Sequence, residues 1–216
     1  MPRGLFISFE GSEGCGKSTQ IQRLAAHLGG MGKSVLLTRE PGGTEIGEQL
    51  RELLQFSQAG HAMCAETELL LFTASRAQLV REKIAPALAA GTIVLADRFL
   101  DSTTVYQGVA RRLDPARVHA INRFAVGDCL PDLTFILDLD PATARTRLTE
   151  RAGAEDRMEN QPASFFDAVR AGYLALAQGK DPRFHLLDAA RSTDDLEHEI
   201  WHHVQPRLTT SPNPIP

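Results

Sequence analysis

Cysteine is scarce in this chain: its 216 residues hold three, Cys15, Cys64 and Cys129, with no paired spacing. That excludes a disulfide framework and a Cys/His metal ribbon, and it points to a reducing compartment, the cytoplasm. No apolar stretch is long enough to span a bilayer; the most apolar window, Ile84 to Ala96, contains Pro86 and Gly91. The N-terminal stretch lacks the pattern of a signal peptide. A net charge of −4 gives no pull toward a nucleic-acid polymer or an anionic membrane. Lysine is also rare, with only Lys17, Lys33, Lys83 and Lys180 among 23 basic residues. The arginines suit bidentate phosphate recognition, although coding bias produces the same excess. No internal repeat and no linker divides the chain. It reads as one domain over residues 1–208, followed by a Pro- and Ser-rich tail, 209–216, expected to be disordered.

What is present is concentrated near the N-terminus. Gly11-Ser12-Glu13-Gly14-Cys15-Gly16-Lys17-Ser18 fits G-x-x-x-x-G-K-[ST], the phosphate-binding P-loop. Leu5 to Phe9 before it is a short apolar run, suited to a buried parallel strand. After it, Ile21, Leu24, Ala25 and Leu28 share one helical face. The motif therefore joins a strand to a helix. Its glycines let backbone N–H groups wrap a phosphate, and the helix N-terminus favours negative charge. Lys17 reaches β- and γ-phosphates, and the Ser18 hydroxyl is a ligand for Mg²⁺. Cys15 fills space inside the loop.

Further strands are expected at 34–38, 92–97, 133–138 and 184–188, alternating with helices. One helix begins near Glu45, capped by Gly43 or Thr44. A long one runs from Thr67 to Ala90 and kinks near Pro86. Others cover 115–126, 141–151, 164–177 and 194–208. The charged stretch 152–161 reads as a mobile flap, giving a lid over about 147–161. This pattern predicts an α/β fold, a doubly wound P-loop NTPase-like sheet of about five parallel strands with a small lid. Ligands then bind at the carboxyl ends of the strands, where Gly11–Ser18, Arg39–Gly43 and Asp97-Arg98 meet. Asp97 ends an apolar strand as a Walker B carboxylate does, placed to hold Mg²⁺. Arg98 would point into the crevice as a phosphate clamp. A signalling GTPase is excluded, because N-K-x-D and D-x-x-G are both missing. His198-Glu199-Ile200-Trp201-His202 fits the zinc-protease pattern H-E-x-x-H. Its histidines lie opposite the stripe of Leu196, Ile200, Val204 and Leu208, so they are expected on the solvent side.

Six segments, in order along the chain, resemble the thymidylate kinase family. They are Phe9 to Gln20, with Thr19 closing the P-loop; Thr38-Arg39-Glu40-Pro41-Gly42-Gly43-Thr44; Glu68 to Arg76; Asp97-Arg98-Phe99 with Ser102, Thr103, Tyr106, Gln107 and Gly108; Pro131 to Thr134; and Asp156 to Glu159. The resemblance implies transfer of the ATP γ-phosphoryl group to dTMP with Mg²⁺, by a cytoplasmic homodimer that acts on small nucleotides. It assigns Phe72 to stacking on the thymine ring, and Arg76, one helical turn on, to a thymine carbonyl. Gln107 would complete the base edge. Arg98 and Arg51 would hold the acceptor phosphate, and Ser102 and Thr103 belong to the substrate-binding set. Glu13 would accept from the sugar 3′-hydroxyl, and Tyr106 would crowd the 2′ position. Glu40 would face the acceptor phosphates and Mg²⁺, and Glu40-Pro41 is a candidate cis peptide. Some family members carry an arginine where this chain has Gly14, so here the catalytic cations would come from the lid, from Arg147, Arg151 and Arg157. Two alternatives share the P-loop. Another nucleoside monophosphate kinase is disfavoured by Phe72, Arg76 and Gln107. A silent nucleotide-binding protein is disfavoured by the intact Lys17, Ser18, Asp97 and Arg98.

Overall fold

Five short apolar runs form the strands β1 (Phe6–Glu10), β2 (Val35–Arg39), β3 (Ile93–Asp97), β4 (Leu133–Asp138) and β5 (Phe184–Asp188). The computed structural model describes residues 3–150, 157–158 and 160–209. Arg151, residues 152–156 and 159 of the expected flap, and the tail from 210 lie outside the described residues. All five strands are parallel, in the order β2-β3-β1-β4-β5. The helices that connect them are α1 (Lys17–Gly30), α2 (Glu45–Gln55), α3 (Ala65–Leu79), α4 (Ala85–Ala89), α5 (Leu100–Thr103), α6 (Pro115–Val126), α7 (Pro141–Glu150), α8 (Ala163–Ala177) and α9 (Thr193–Thr209).

Strand periodicity sorts the core into two layers. Ile7, Phe9, Ile93, Leu95, Leu133 and Phe135 face Ile21, Leu24 and Leu28 of α1 and Leu196, Ile200 and Val204 of α9. Their even-numbered neighbours Phe6, Val94 and Ala96 face Leu79, Val80, Ile84 and Leu88. Ile136 on that same side meets Val169 and Tyr173 of α8. A fully buried Leu, Ile or Phe stabilises by about 1.5–3 kcal/mol. A surface pair such as Arg39–Glu48 contributes about 0–1 kcal/mol, so the two apolar layers decide the fold. β1 is central and buried along its whole length, which brings the P-loop out at the middle of the sheet.

The expected long helix is three pieces. α3 passes through a π turn, Val80–Ile84, into α4. Pro86 offers no N–H, and just before it the Ala85 N–H reaches back to the Val80 carbonyl, one residue further than in an α-helix. The expected kink is thus a widened turn N-terminal to the proline. Residues 100–110, left without an element by the sequence pattern, form α5 and a second π segment, Thr104–Ala110. Thr44 rather than Gly43 caps α2, its side chain accepting from the Gly47 N–H. His198 and His202 are exposed, while Leu196, Ile200 and Val204 are buried.

One imidazole gives the fold a pH dependence. The ring of His185 on β5 lies tilted against that of His203 of α9, with centroids 4.0 Å apart. Its Nε2 is buried without a hydrogen-bond partner. Burial, His203 and Arg207 lower its pKa from 6.5 to about 4. The unfolded chain therefore binds a proton between those values that the folded chain refuses, and stability is full above 6.5 and falls as pH drops toward 4. Replacing His185 with Phe is expected to shrink the difference in melting temperature between pH 7 and pH 5. An undiminished difference in the variant would assign the acid sensitivity to other groups.

Candidate active site

The crevice is built where β1, β2 and β3 end. Gly11, Gly14 and Gly16 hold positive φ angles of 133°, 73° and 95°, so the loop curls back on itself before α1. At Gly11 a β-carbon would lie 2.5 Å from the Leu137 carbonyl oxygen, and at Gly14 one would lie 2.7 Å from that of Ala144. Position 14 therefore has no room for an arginine, because α7 already occupies that space. Cys15 is buried in the turn. The Lys17 ammonium donates to the carbonyls of Gly11 at 3.2 Å and Ser12 at 2.8 Å. The Ser18 hydroxyl donates to Asp97 Oδ2 at 2.8 Å, which joins the first turn of α1 to the end of β3. A hydroxyl and a carboxylate in contact form the oxygen-donor set that a hard divalent cation prefers.

The same crevice is lined by Glu13, Thr19, Arg39, Glu40, Arg51, Arg98 and Arg147. Arg51 donates to the Pro41 carbonyl at 3.1 Å, and Arg147 to that of Ala189 at 3.3 Å. The Glu40-Pro41 peptide is cis.

Arg98 has φ +70°, a left-handed conformation rare outside glycine. Its N–H donates to the Phe9 carbonyl at 2.9 Å, and the Phe99 N–H donates to Glu10 Oε1 at 2.8 Å. The guanidinium then donates to Glu13 at 2.7 Å and Ser102 at 3.1 Å, and lies over the Tyr106 ring. The Tyr106 hydroxyl donates to Glu13 at 3.0 Å. Burial works to raise the Glu13 pKa, but Arg98, Lys17, a loop amide and Tyr106 together hold it below the ordinary value.

Glu10 and Tyr173 escaped the sequence reading as functional residues. Glu10 Oε2 accepts from Ser102 at 2.6 Å and from the Tyr173 hydroxyl at 2.8 Å. Burial and the nearby Asp101 push its pKa up to about 7, against the pull of Ser102, Arg98 and the Phe99 amide. One signal was available: Glu10 is a carboxylate closing an otherwise apolar strand. Tyrosine scarcity was another, since both tyrosines of the chain, Tyr106 and Tyr173, stand here.

A second cavity opens beside the P-loop crevice. Its walls include Phe72, Arg76, Thr103, Tyr106, Gln107 and Met158, and it shares Glu13, Glu40, Gln55 and Arg98 with the crevice. Phe72 is half-buried and Gln107 is buried. Arg76, 1% exposed, commits its whole guanidinium to protein. Nε and one NH2 proton go to Glu40, and the other donors go to Thr103, Asn122 and the Phe99 carbonyl. It reaches the cavity as part of the wall, with its N–H groups already engaged. Glu40 is correspondingly tied to Arg76 rather than to the loop, and its other oxygen, Oε1, is buried without a partner. Burial and Asp101 keep the Glu40 pKa raised even against Arg76.

The lid arginines separate. Arg147 stands in the P-loop crevice. Arg157 does not line it. Its guanidinium donates to Glu68 at 2.7 Å and the Leu54 carbonyl at 2.9 Å, so it pins its segment to α2 and α3. Arg151 lies outside the described residues.

A P-loop facing a Walker-type carboxylate, with an adjoining cavity lined by aromatic, amide and arginine side chains, defines the P-loop phosphotransferases. The family model described as thymidylate kinase matches residues 9–200. A thymidylate kinase of Pseudomonas syringae pv. syringae is 49% identical over 90% of this chain and 91% of its own length. One from Bifidobacterium longum subsp. infantis is 42% identical over 96% and 87%. The crystal structure of thymidylate kinase from Ehrlichia chaffeensis superposes with a TM-score of 0.76 at 33% identity, covering 94% of this chain and all of that one. The chain belongs to the thymidylate kinase family.

Proposed function

We propose that the protein transfers the γ-phosphoryl group of ATP to dTMP, giving dTDP. One observation carries this reading: a cavity lined by Phe72, Arg76 and Gln107 and a P-loop crevice meet at a single cation, Arg98, with Glu13 beside it. The P-loop and Lys17 take the β- and γ-phosphates. Ser18 and Asp97 are the residues that would hold Mg²⁺, which when bound neutralises phosphate charge. Phe72 and the floor of Arg76, Thr103 and Gln107 take the base, and Tyr106 with Glu13 spans the sugar. Arg98 and Arg51 hold the acceptor phosphate. Glu40 lines the cavity as well, with its Oε1 free of a protein partner among the described residues.

The acceptor phosphate oxygen is already an anion, so attack on the γ-phosphorus needs no general base. ADP leaves as the bond to its β-phosphate oxygen breaks. Positioning and neutralisation of spread charge then supply the rate. Lys17, Arg98 and Arg147 are the described cations placed for that work. Three unpaired cysteines, and no described helix long and apolar enough to cross a membrane, fit a cytoplasmic setting. The apolar side chains of Leu70 on α3 and Phe124 on α6, 55% and 85% exposed, fit the homodimer expected by family analogy, and sedimentation reads that state directly.

The test is ADP release from Mg²⁺·ATP with dTMP, dUMP, UMP, CMP, AMP and GMP as acceptors. Turnover with dTMP ahead of every other acceptor is expected. Preference for a purine would overturn the base cavity while leaving the P-loop kinase, and silence with all six would leave only a binding protein.

A further inference from the structure

Glu68 is a buried carboxylate that the phosphoryl-transfer chemistry does not use. It lies on α3 one turn before Phe72 and is 1% exposed. Every group that touches its oxygens is a donor. Oε1 accepts from Gln107 Nε2 at 2.9 Å and Arg111 Nε at 3.2 Å, and Oε2 accepts from a second Arg111 nitrogen at 3.2 Å and from Arg157 at 2.7 Å. The cluster is braced further. Arg111 also donates to Gln161 Oε1 at 3.0 Å, whose own amide donates to the Arg157 carbonyl at 3.0 Å. The Arg157 N–H in turn donates to the Gln55 carbonyl. Glu68 is therefore held in one rotamer by three side chains from two separate parts of the chain.

This has a consequence for Gln107. An amide side chain has a donor end and an acceptor end, and only its neighbours decide which way round it sits. A carboxylate cannot donate. Gln107 must therefore turn its NH2 to Glu68 and its carbonyl oxygen away from it. Gln107 lines the base cavity, and its Oε1 accepts no hydrogen bond among the described residues. The cavity is thus offered an acceptor by a residue that, left alone, would offer either end.

We infer that Glu68 is a specificity-determining positioning residue: by fixing the polarity of the Gln107 amide, it selects bases that carry an N3–H. Thymine and uracil have that hydrogen. Cytosine has a lone pair at N3, which would face the Gln107 oxygen and leave two acceptors opposed. The selection is made one residue removed from the ligand, by a group that never touches it. Arg111 and Arg157 complete the device. Burial works to raise the Glu68 pKa, but the Gln107 amide together with these two arginines holds it below the ordinary value, and so keeps it a pure acceptor.

The inference rests on the pyrimidine-acceptor reading of this cavity, and the wild-type protein tests that reading separately. The experiment measures kcat/KM for dTMP, dUMP and dCMP with wild type, Glu68→Gln, Gln107→Leu and the double variant. A Gln at 68 can donate or accept, so Gln107 is released to present either end. The dTMP:dCMP ratio is expected to narrow by about 10-fold or more in Glu68→Gln, and the dTMP:dUMP ratio to stay put, since the amide does not read the methyl group. Gln107→Leu should narrow the dTMP:dCMP ratio as well, with no further narrowing in the double variant, because both changes remove one interaction. A Glu68→Gln protein that loses activity equally with all acceptors, or whose effect adds fully to that of Gln107→Leu, would show Glu68 to be merely structural. Should Glu68→Gln not fold, Gln107→Leu decides alone: an unchanged ratio removes the amide from discrimination and the inference with it. Wild type without dTMP preference would instead sink the proposed function.

Discussion

Replacing Lys17 with Ala is expected to lower kcat on the order of 10²–10³-fold while leaving the KM for dTMP close to wild type. The reason lies in how the ammonium is held. It is only 8% exposed, yet its partners are the main-chain carbonyls of Gly11 and Ser12 rather than a carboxylate. Carbonyl dipoles orient the charge without cancelling it. A phosphoryl oxygen arriving in the crevice meets a positive charge whose desolvation is already complete. Charge on the transferred group grows toward the transition state, so the loss falls on kcat more than on ground-state binding. The change also strips the buried Gly11 carbonyl and the partly buried Ser12 carbonyl of their ammonium donor, so some loss of stability is expected beside the kinetic effect. Steady-state kinetics at saturating ATP read the first effect and thermal unfolding the second. A wild-type kcat in the Lys17→Ala protein would remove the P-loop from the chemistry.

The donor side of this site was legible because its signals are local. Gly11 to Ser18 lies within one strand–turn–helix unit, and Asp97 closes an apolar run, so spacing alone places both. The five strands were legible for the same reason, each being a short apolar run with a turn after it. The acceptor side is different. Nothing near Phe72 or Arg76 in the chain says that they face a ligand, and they were found only through the resemblance to a family. α3 is buried on more than one side, with Glu68, Ser75 and Arg76 as covered as Leu69 and Leu79, so it shows no clean apolar stripe. Whether a guanidinium meets a base or a carboxylate depends on a partner 36 residues away, Glu40. Glu68 meets Arg157 across 89 residues, and Glu10 meets Tyr173 across 163. No periodicity encodes such pairings. The π segments at Val80–Ile84 and Thr104–Ala110 escaped for a related reason, since a 3.6-residue template has no place for a widened turn.

Arg98→Ala is expected to reduce kcat/KM for dTMP on the order of 10²–10³-fold while the KM for ATP changes little. Arg98 is the point where the two cavities join, and its guanidinium already organises both sides: Glu13 and Tyr106 toward the sugar, Ser102 and Tyr173 toward Glu10. Without it, Glu13 keeps its burial and loses the strongest of the influences that hold its pKa down, so the carboxyl drifts upward toward a neutral form that accepts less well. Alanine does not relieve the backbone, because φ +70° remains a left-handed conformation for any residue with a β-carbon. Arg98→Gly does relieve it. A non-glycine residue in that region costs about 1–2 kcal/mol, so the glycine variant should unfold at a higher temperature than the alanine variant. Both should be equally poor with dTMP, since both lack the guanidinium. That pairing separates the two roles of the residue. Equal activity loss with unequal stability assigns catalysis to the side chain and strain to the backbone. A glycine variant that recovers activity would mean that the turn, not the charge, is what the acceptor requires. Activity at the wild-type level in Arg98→Ala would mean that the acceptor phosphate is held elsewhere, by another of the cations that line the crevice, such as Arg51 or Arg147.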